Sequence, residues 1–405
     1  VINKEDTLAD TKRLCYINSI IGFENIFAPI AILFYTNHVG FNLLEVGFFF
    51  ALVSISTLIF EIPSGILSDW LGRREVFAAG RIGYISSMIL VLFLDKDLII
   101  YVSILFGISI ALSSGNTPAI IYSMLKSCNH EKKAGEIFSK SATFSLWSAS
   151  ILSLLGGLLG HIDITYPLIA ETILMSTSLI VFLFFTRKYK SSQTETRNPP
   201  SGIKILKDGI INISTNKKLL VFIIFSAITF SFLRASYNLY QPVFEMLDIP
   251  VIYFGIAFSV MNLIASFGAK LSRLKSKSLF IPISLSALII SALPLFAHNN
   301  YIMVISITTI LISQQLLRGF ESPFSNTSIN ENINSDNSRT TILSISQFTK
   351  SIFSSITMIV FGLCAESYSL GFTLSVTSIA YILISLAILI YFLRASSPKR
   401  ISSSV

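Results

Sequence analysis

The chain has 405 residues, 52% of them hydrophobic and only 13% charged, and its mean hydropathy is +0.71. Soluble proteins carry about 25% charged residues, so a soluble fold is excluded and lipid is the solvent for most of the chain. The net charge of +8 then points to basic loops at a membrane surface and not to nucleic acid, while Cys15, Cys128 and Cys364 lack metal-ligand spacing and read as free thiols.

Residues 1–13 form a polar N-terminal segment with no cleavable signal pattern before the first apolar run. Apolar runs of membrane length, ~20 residues each, follow at about 14–35, 43–68, 75–94, 98–125, 135–159 and 166–185. They predict helices 1 to 6 of an N-terminal half, 14–186. Residues 187–218 are polar, contain Asn198-Pro199-Pro200-Ser201-Gly202, and read as a linker. Six further runs, at about 219–246, 251–271, 278–297, 300–326, 339–365 and 369–393, build a C-terminal half, 219–394, before a tail, 395–405. The expected fold is an all-α membrane protein with about 12 transmembrane helices in two six-helix halves.

Basic residues sort to one side of this arrangement. The 2–3 turn holds Arg73 and Arg74, the 4–5 loop Lys126, Lys132, Lys133 and Lys140, and the 8–9 loop Lys270, Arg273, Lys275 and Lys277. The linker and tail are basic as well. The opposite loops offer only Lys96, set between Asp95 and Asp97. Positive loops stay cytoplasmic, so both termini and the linker are expected in the cytoplasm.

The turn between helices 2 and 3 is the most informative stretch. It reads Gly65-Ile66-Leu67-Ser68-Asp69-Trp70-Leu71-Gly72-Arg73-Arg74. Gly65 permits close helix packing, Gly72 permits a turn with positive φ, and Asp69 ends a helix beside two arginines. The Gly-x-x-x-Asp-x-x-Gly-Arg-Arg spacing resembles the loop 2–3 signature of the major facilitator superfamily. The preceding Glu61-Ile62-Pro63-Ser64 is similar to the variant in bacterial drug:proton antiporter-like exporters. Trp70 stands where that family usually has a basic residue, and Ser103 where helix 4 often carries an arginine. Gly156-Gly157 and Gly160 match the antiporter glycines of helix 5 only loosely and also suit close helix packing.

Ionisable and polar groups within apolar runs are costly and mark pathways or buried partners. Glu24 lies about eleven residues, ~16 Å, into helix 1, near mid-membrane; it is either a structural hydrogen-bonding group or a proton site. Arg234, Tyr237, Asn238 and Gln241 recur at i, i+3, i+4 and i+7 and make one polar stripe on helix 7. Arg318 and Glu321 are spaced to pair within helix 10. Gln347 and Lys350 share helix 11, and Lys350 needs a counter-charge, for which Glu24 and Glu321 are candidates, or a water path. Asn116 belongs to a polar end of helix 4. The cations Arg234 and Lys350 hint at a substrate with anionic character.

The resemblance implies that helices 1, 4, 7 and 10 line a cavity, and the buried polar set falls mainly on helices 1, 7, 10 and 11. It further implies that Asp69, with Gly65, Gly72, Arg73 and Arg74, gates the cytoplasmic side against the start of helix 11 at Arg339. The expected function is export of an amphipathic compound, a drug or a peptide- or siderophore-like natural product, in exchange for protons. Glu24 would carry the proton, and Arg234, Tyr237, Asn238, Gln241, Gln347, Lys350 and Asn116 would contact substrate. A non-transporting ligand-binding receptor or immunity protein, and a proton-coupled nutrient importer, are the alternatives. No nucleophile–base constellation, metal spacing or phosphate loop is present in the sequence, so neither an enzyme nor a cofactor is expected. A monomer in the inner (cytoplasmic) membrane is expected, with substrate, protons and lipid as its partners.

Overall fold

The structure is a computed structural model that describes residues 4–23, 25–93, 95–114, 116–130, 133–187, 213, 216–272, 302, 309, 313–321, 325, 329, 339–368 and 370, with seven single positions from 372 to 384. Every described regular element is helical. They are α1 (Lys4–Ile21), α2 (Ala31–Asn37), α3 (Leu43–Leu71), α4 (Arg73–Phe93), α5 (Ile99–Ser114), α6 (Asn116–Ser127), α7 (Ala134–Ile162), α8 (Tyr166–Thr186), α9 (Lys217–Met246), α10 (Ile252–Ser272) and α11 (Arg339–Ser367). Residues 313–321 are helical as well. Among the described residues, eight helices are long and apolar enough to cross a membrane. Lipid offers no partner to backbone N–H and C=O groups, so helices that satisfy them internally are the expected solution. The expected helix at 278–297, nearly all of that at 369–393 and most of the 187–218 linker lie outside the described residues.

The first apolar run departs from expectation. The sequence predicts one helix over 14–35, but α1 ends at Ile21, a 3-10 turn occupies Ala28–Ile30, and α2 resumes at Ala31. Pro29 has no N–H to give and disfavours helical backbone in the residue before it. Between α3 and α4, Gly72 has φ +104°, the positive value expected of that turn, and its N–H donates to Ser68 O at 3.1 Å. At its other end α3 starts on a reciprocal cap. Asn42 Oδ1 accepts from Glu45 N–H at 2.8 Å, and Glu45 Oε2 accepts from Asn42 N–H at 2.8 Å.

The chain forms two compact units. The first comprises 1–198, 237–266 and 355–370. Its apolar centre joins Leu14 of α1, Phe77 of α4, Ile120 and Met124 of α6, and Phe182 of α8. Gly157 of α7 and Gly255 of α10 pack backbone to backbone, and a Cβ on Gly157 would lie 2.6 Å from Gly255 N. Gly156 packs against Ile26 O in the same way, so these glycines do serve close helix approach.

The second unit comprises 199–236, 267–354 and 371–405. Ile213, Leu219, Ile223, Ile329 and Ile342 form an apolar cluster within it. Gly268 on α10 meets the backbone of Leu316 and Phe320, which brings the 313–321 helix against α10.

Candidate functional site

In the first unit, the interruption of helix 1 leaves backbone groups that the helix can no longer satisfy. Glu171 on α8, fully buried, supplies their partner. Its Oε2 accepts from the N–H groups of Asn25 at 3.0 Å, Ile26 at 2.6 Å and Phe27 at 3.2 Å. On the other side of the break, Arg81 of α4 donates through Nη2 to Gly22 O and through Nη1 to Met175 Sδ at 3.1 Å. A carboxylate and a guanidinium thus hold the two ends of an unwound segment inside apolar helices. Glu24 lies within this segment but outside the described residues. Glu171 and Arg81 carry none of the roles assigned from the sequence.

The end of the first unit that carries Asn37 is clasped. Gln241 of α9 accepts through Oε1 from Ile32 N–H at 2.7 Å and Leu33 N–H at 3.3 Å, and donates through Nε2 to Ala28 O at 2.9 Å. It therefore caps the N-terminus of α2 and uses both ends of its amide there. Asn37 Nδ2 donates to Glu245 Oε1 at 2.8 Å, and Asn42 Nδ2 to Glu366 Oε1 at 3.2 Å. Tyr237 packs edge-on to Phe258 with centroids 4.8 Å apart, and Asn238 Nδ2 lies 3.5 Å from Met358 Sδ.

In the second unit, Lys350 of α11 and Glu321 form a buried ion pair, Nζ to Oε1 3.3 Å, with side chains 6% and 4% exposed. The same Oε1 accepts from Ser226 Oγ of α9 at 2.6 Å, and Ser226 in turn accepts from Ser325 Oγ at 2.6 Å. Lys350 Nζ also sits 5.5 Å from the centre of the Phe230 ring. Of the two counter-charges that the sequence offers Lys350, the geometry gives Glu321. Among the described residues, the buried hydroxyls of Ser236 and Ser354 have no hydrogen-bond partner.

The remaining sequence-predicted residues are dispersed. Arg234 is half-buried in the second unit, while Tyr237 and Asn238 are half-buried in the first. Gln347 is exposed, unlike Lys350 one turn on. Arg318 is half-buried one turn before Glu321. Asn116 is buried, and its Nδ2 donates to Leu112 O at 2.7 Å, one turn earlier in the same run. Arg74 donates from Nε to Thr186 Oγ1 at 3.1 Å and pairs with Glu75 at 3.5 Å, while Arg73 is half-buried at the start of α4. Among the described residues, a Cβ on Gly65 would meet nothing within 4 Å. Asp69 lies in the last turn of α3 and Arg339 opens α11, but both side chains lie outside the described residues.

Apolar helices of membrane length, with carboxylates and cations buried among them, define a multi-pass membrane protein of the transporter class. The model described as "Major Facilitator Superfamily" matches residues 14–358, and the chain belongs to that family. It is accordingly a multi-pass membrane protein of a non-catalytic transporter family. The uncharacterized MFS-type transporter YxaM of Bacillus subtilis (strain 168) is 26% identical over 202 residues, 49% of this chain and 49% of that protein; the match thus spans about half the length of this relative. Among solved structures, the nucleoside transporter NupG superposes with a TM-score of 0.76 at 14% identity, over 96% of this chain and 99% of that one. A POT family transporter in complex with 5-aminolevulinic acid gives 0.70 at 14% identity, over 96% of each chain. A D-xylose-proton symporter gives 0.64 at 11%, over 95% of this chain and 96% of that one. At these identities the likeness is one of fold alone.

Proposed function

We propose that the protein is a proton-coupled secondary transporter that exports an amphipathic organic compound by alternating access. The buried Lys350–Glu321 pair carries this reading. Two opposite charges placed among apolar helices are a weak source of stability but a means of binding and releasing a proton or a charged ligand. In this reading twelve helices form two six-helix halves in a monomer, with both termini and the Asp69 turn cytoplasmic, as the basic loops favour. Asp69, with Gly65, Gly72, Arg73 and Arg74, closes the cytoplasmic side against Arg339. The Gln241 clasp on α2 then closes the outer side. Glu24, on the unwound segment of helix 1, carries a proton. Arg234, Tyr237, Asn238, Gln347 and Lys350 supply substrate contacts.

Export is favoured by the resemblance of residues 61–74 to antiporter-like members. A second reading, uptake together with protons, would use the same buried pair. Steady-state accumulation of an amphipathic fluorescent dye in cells expressing the protein tests direction. Export predicts lower accumulation than in control cells, restored by an uncoupler. Raised accumulation, or indifference to the uncoupler, would count against it.

A further inference from the structure

We propose that the pocket between the first turns of α3 and α5 binds the headgroup of an ethanolamine phospholipid, its phosphate on Lys96 and its ammonium on Asp97. The site goes beyond the transport reading and does not depend on it.

The pocket lies within the first unit, at the end of α3 remote from Gly72. The apolar spans Leu43–Glu61 and Lys96–Ser127 both begin here, so the pocket sits where hydrocarbon gives way to headgroups. Phe41, Phe48 and Ile100 give it apolar walls, and Glu45, Lys96 and Asp97 give it charge. Its volume of about 310 Å³ is at the low end for ligand sites, ~300–1,000 Å³, and suits a headgroup better than a whole amphiphile. An apolar track leads away from it. Phe48, Ile55 and Ile59 are exposed along α3, and Ile100 and Ile104 along α5. From Phe48 to Ile59 the stripe rises ~16 Å, about the depth of one leaflet of hydrocarbon, so an acyl chain can lie on it.

The charges select the headgroup. Lys96 is the sole Lys or Arg that the sequence places in the loops on this side of the membrane, and it stands between Asp95 and Asp97. Its Nζ donates to Glu45 Oε2 at 2.7 Å and lies 5.9 Å from the centre of the Phe41 ring. Glu45 Oε2 also accepts from Asn42 N–H at 2.8 Å in the cap of α3, so the carboxylate that orients Lys96 is itself held by backbone. The two side chains are 43% and 34% exposed, and an ion pair so open to water adds little stability. An ammonium has three N–H donors. Glu45 takes one, and a phosphate oxygen can take another. Asp97, exposed beside Lys96, disfavours a simple anion and favours a cation. The matching ligand carries a phosphate and an ammonium a few bonds apart. A glycerol headgroup lacks the cation, and choline has the cation but no N–H to donate to Asp97. Ethanolamine has both.

The test is photo-crosslinking of the full-length protein in phosphatidylcholine nanodiscs. Each nanodisc holds a small fraction of a phospholipid with a diazirine near the glycerol end of one chain, its headgroup being ethanolamine, choline or glycerol. Labelling at Phe48 and Ile100 should be about fivefold stronger with ethanolamine than with choline, the upper worth of one exposed charge pair. Labelling at Ile173 and Ile180, exposed on α8, should not depend on the headgroup. Lys96→Gln should weaken pocket labelling by ethanolamine and choline lipids alike, and Lys96→Arg should restore it. Asp97→Asn should bring the ethanolamine lipid down to the choline level. Both positions are exposed and both substitutions leave the Asn42–Glu45 cap in place, so the α8 labelling should stay at the wild-type level in each. Pocket labelling indifferent to headgroup, strongest labelling by the glycerol lipid, or an ethanolamine preference that survives Asp97→Asn overturns the proposal.

Discussion

The Oε2 oxygen of Glu171 lies 2.6 Å from the backbone nitrogen of Ile26, and the residues come from helices 145 positions apart in sequence. The bond, with its two neighbours at Asn25 and Phe27, is what permits helix 1 to unwind inside the bilayer. An unpartnered buried N–H costs about 1–3 kcal/mol. Glu171→Ala, which strands three, should therefore lose about 3 kcal/mol or more. Glu171→Gln keeps an acceptor oxygen and loses the charge, and should lose less, about 1–2 kcal/mol. Unfolding in mixed micelles measures both. Equal stability of Glu171→Ala and wild type would remove the carboxylate as the support of the break.

Gln241 should behave as a clasp and not as a binding-site residue. Gln241→Ala deprives Ile32 and Leu33 of their acceptor and should destabilise the clasped end of the first unit by about 1–3 kcal/mol. The expected signature is greater labelling of a cysteine placed at Asn37, with substrate affinity little changed. A large fall in affinity with unchanged labelling would return Gln241 to the substrate site.

Asn37 and Glu245 bond directly at 2.8 Å. Cysteines at these two positions, joined by a short bifunctional thiol reagent, should arrest transport, and cleavage of a reducible linker should restore it. Full transport with the linker in place would show that this end need not open.

The glycines of the chain should separate into two groups. Gly65→Ala should leave stability unchanged, because among the described residues a Cβ there meets nothing within 4 Å. Gly72→Ala should cost about 1–2 kcal/mol, because φ is +104°. Gly157→Val should be worse still, since its side chain would enter the backbone of Gly255. Stability in detergent measures this order. If Gly65→Ala is stable but inactive, the close approach at Gly65 belongs to the other conformation of the transport cycle.

Much of this architecture is legible in the sequence because hydropathy acts over whole helices. The long apolar runs, the Gly72 turn and the close-packing glycines of helix 5 all follow from residue type. The break in helix 1 was also written there, in Gly22 and Pro29, but an unbroken apolar run conceals it, since hydropathy reports solvent and not backbone continuity. The partner of Lys350 could not be read, because Glu24 and Glu321 satisfy it equally on charge and only the packing of α9, α11 and the 313–321 helix selects one. Glu171 and Arg81 were visible as isolated charges on helices expected to be peripheral. Their role arises from backbone groups on another helix, which no side-chain pattern records. Gln241 shows the same limit: an amide that suits a substrate equally suits a broken helix.

Proton movement in proteoliposomes tests the central claim of proton-coupled transport most directly. It is recorded on adding candidate amphipathic compounds, with wild type, Glu24→Gln and Glu321→Gln side by side. The account predicts substrate-dependent proton flux in the wild type that is lost or sharply reduced in Glu321→Gln, with its sign distinguishing exchange from joint movement. Substrate transport by the wild type with no accompanying proton flux would contradict it.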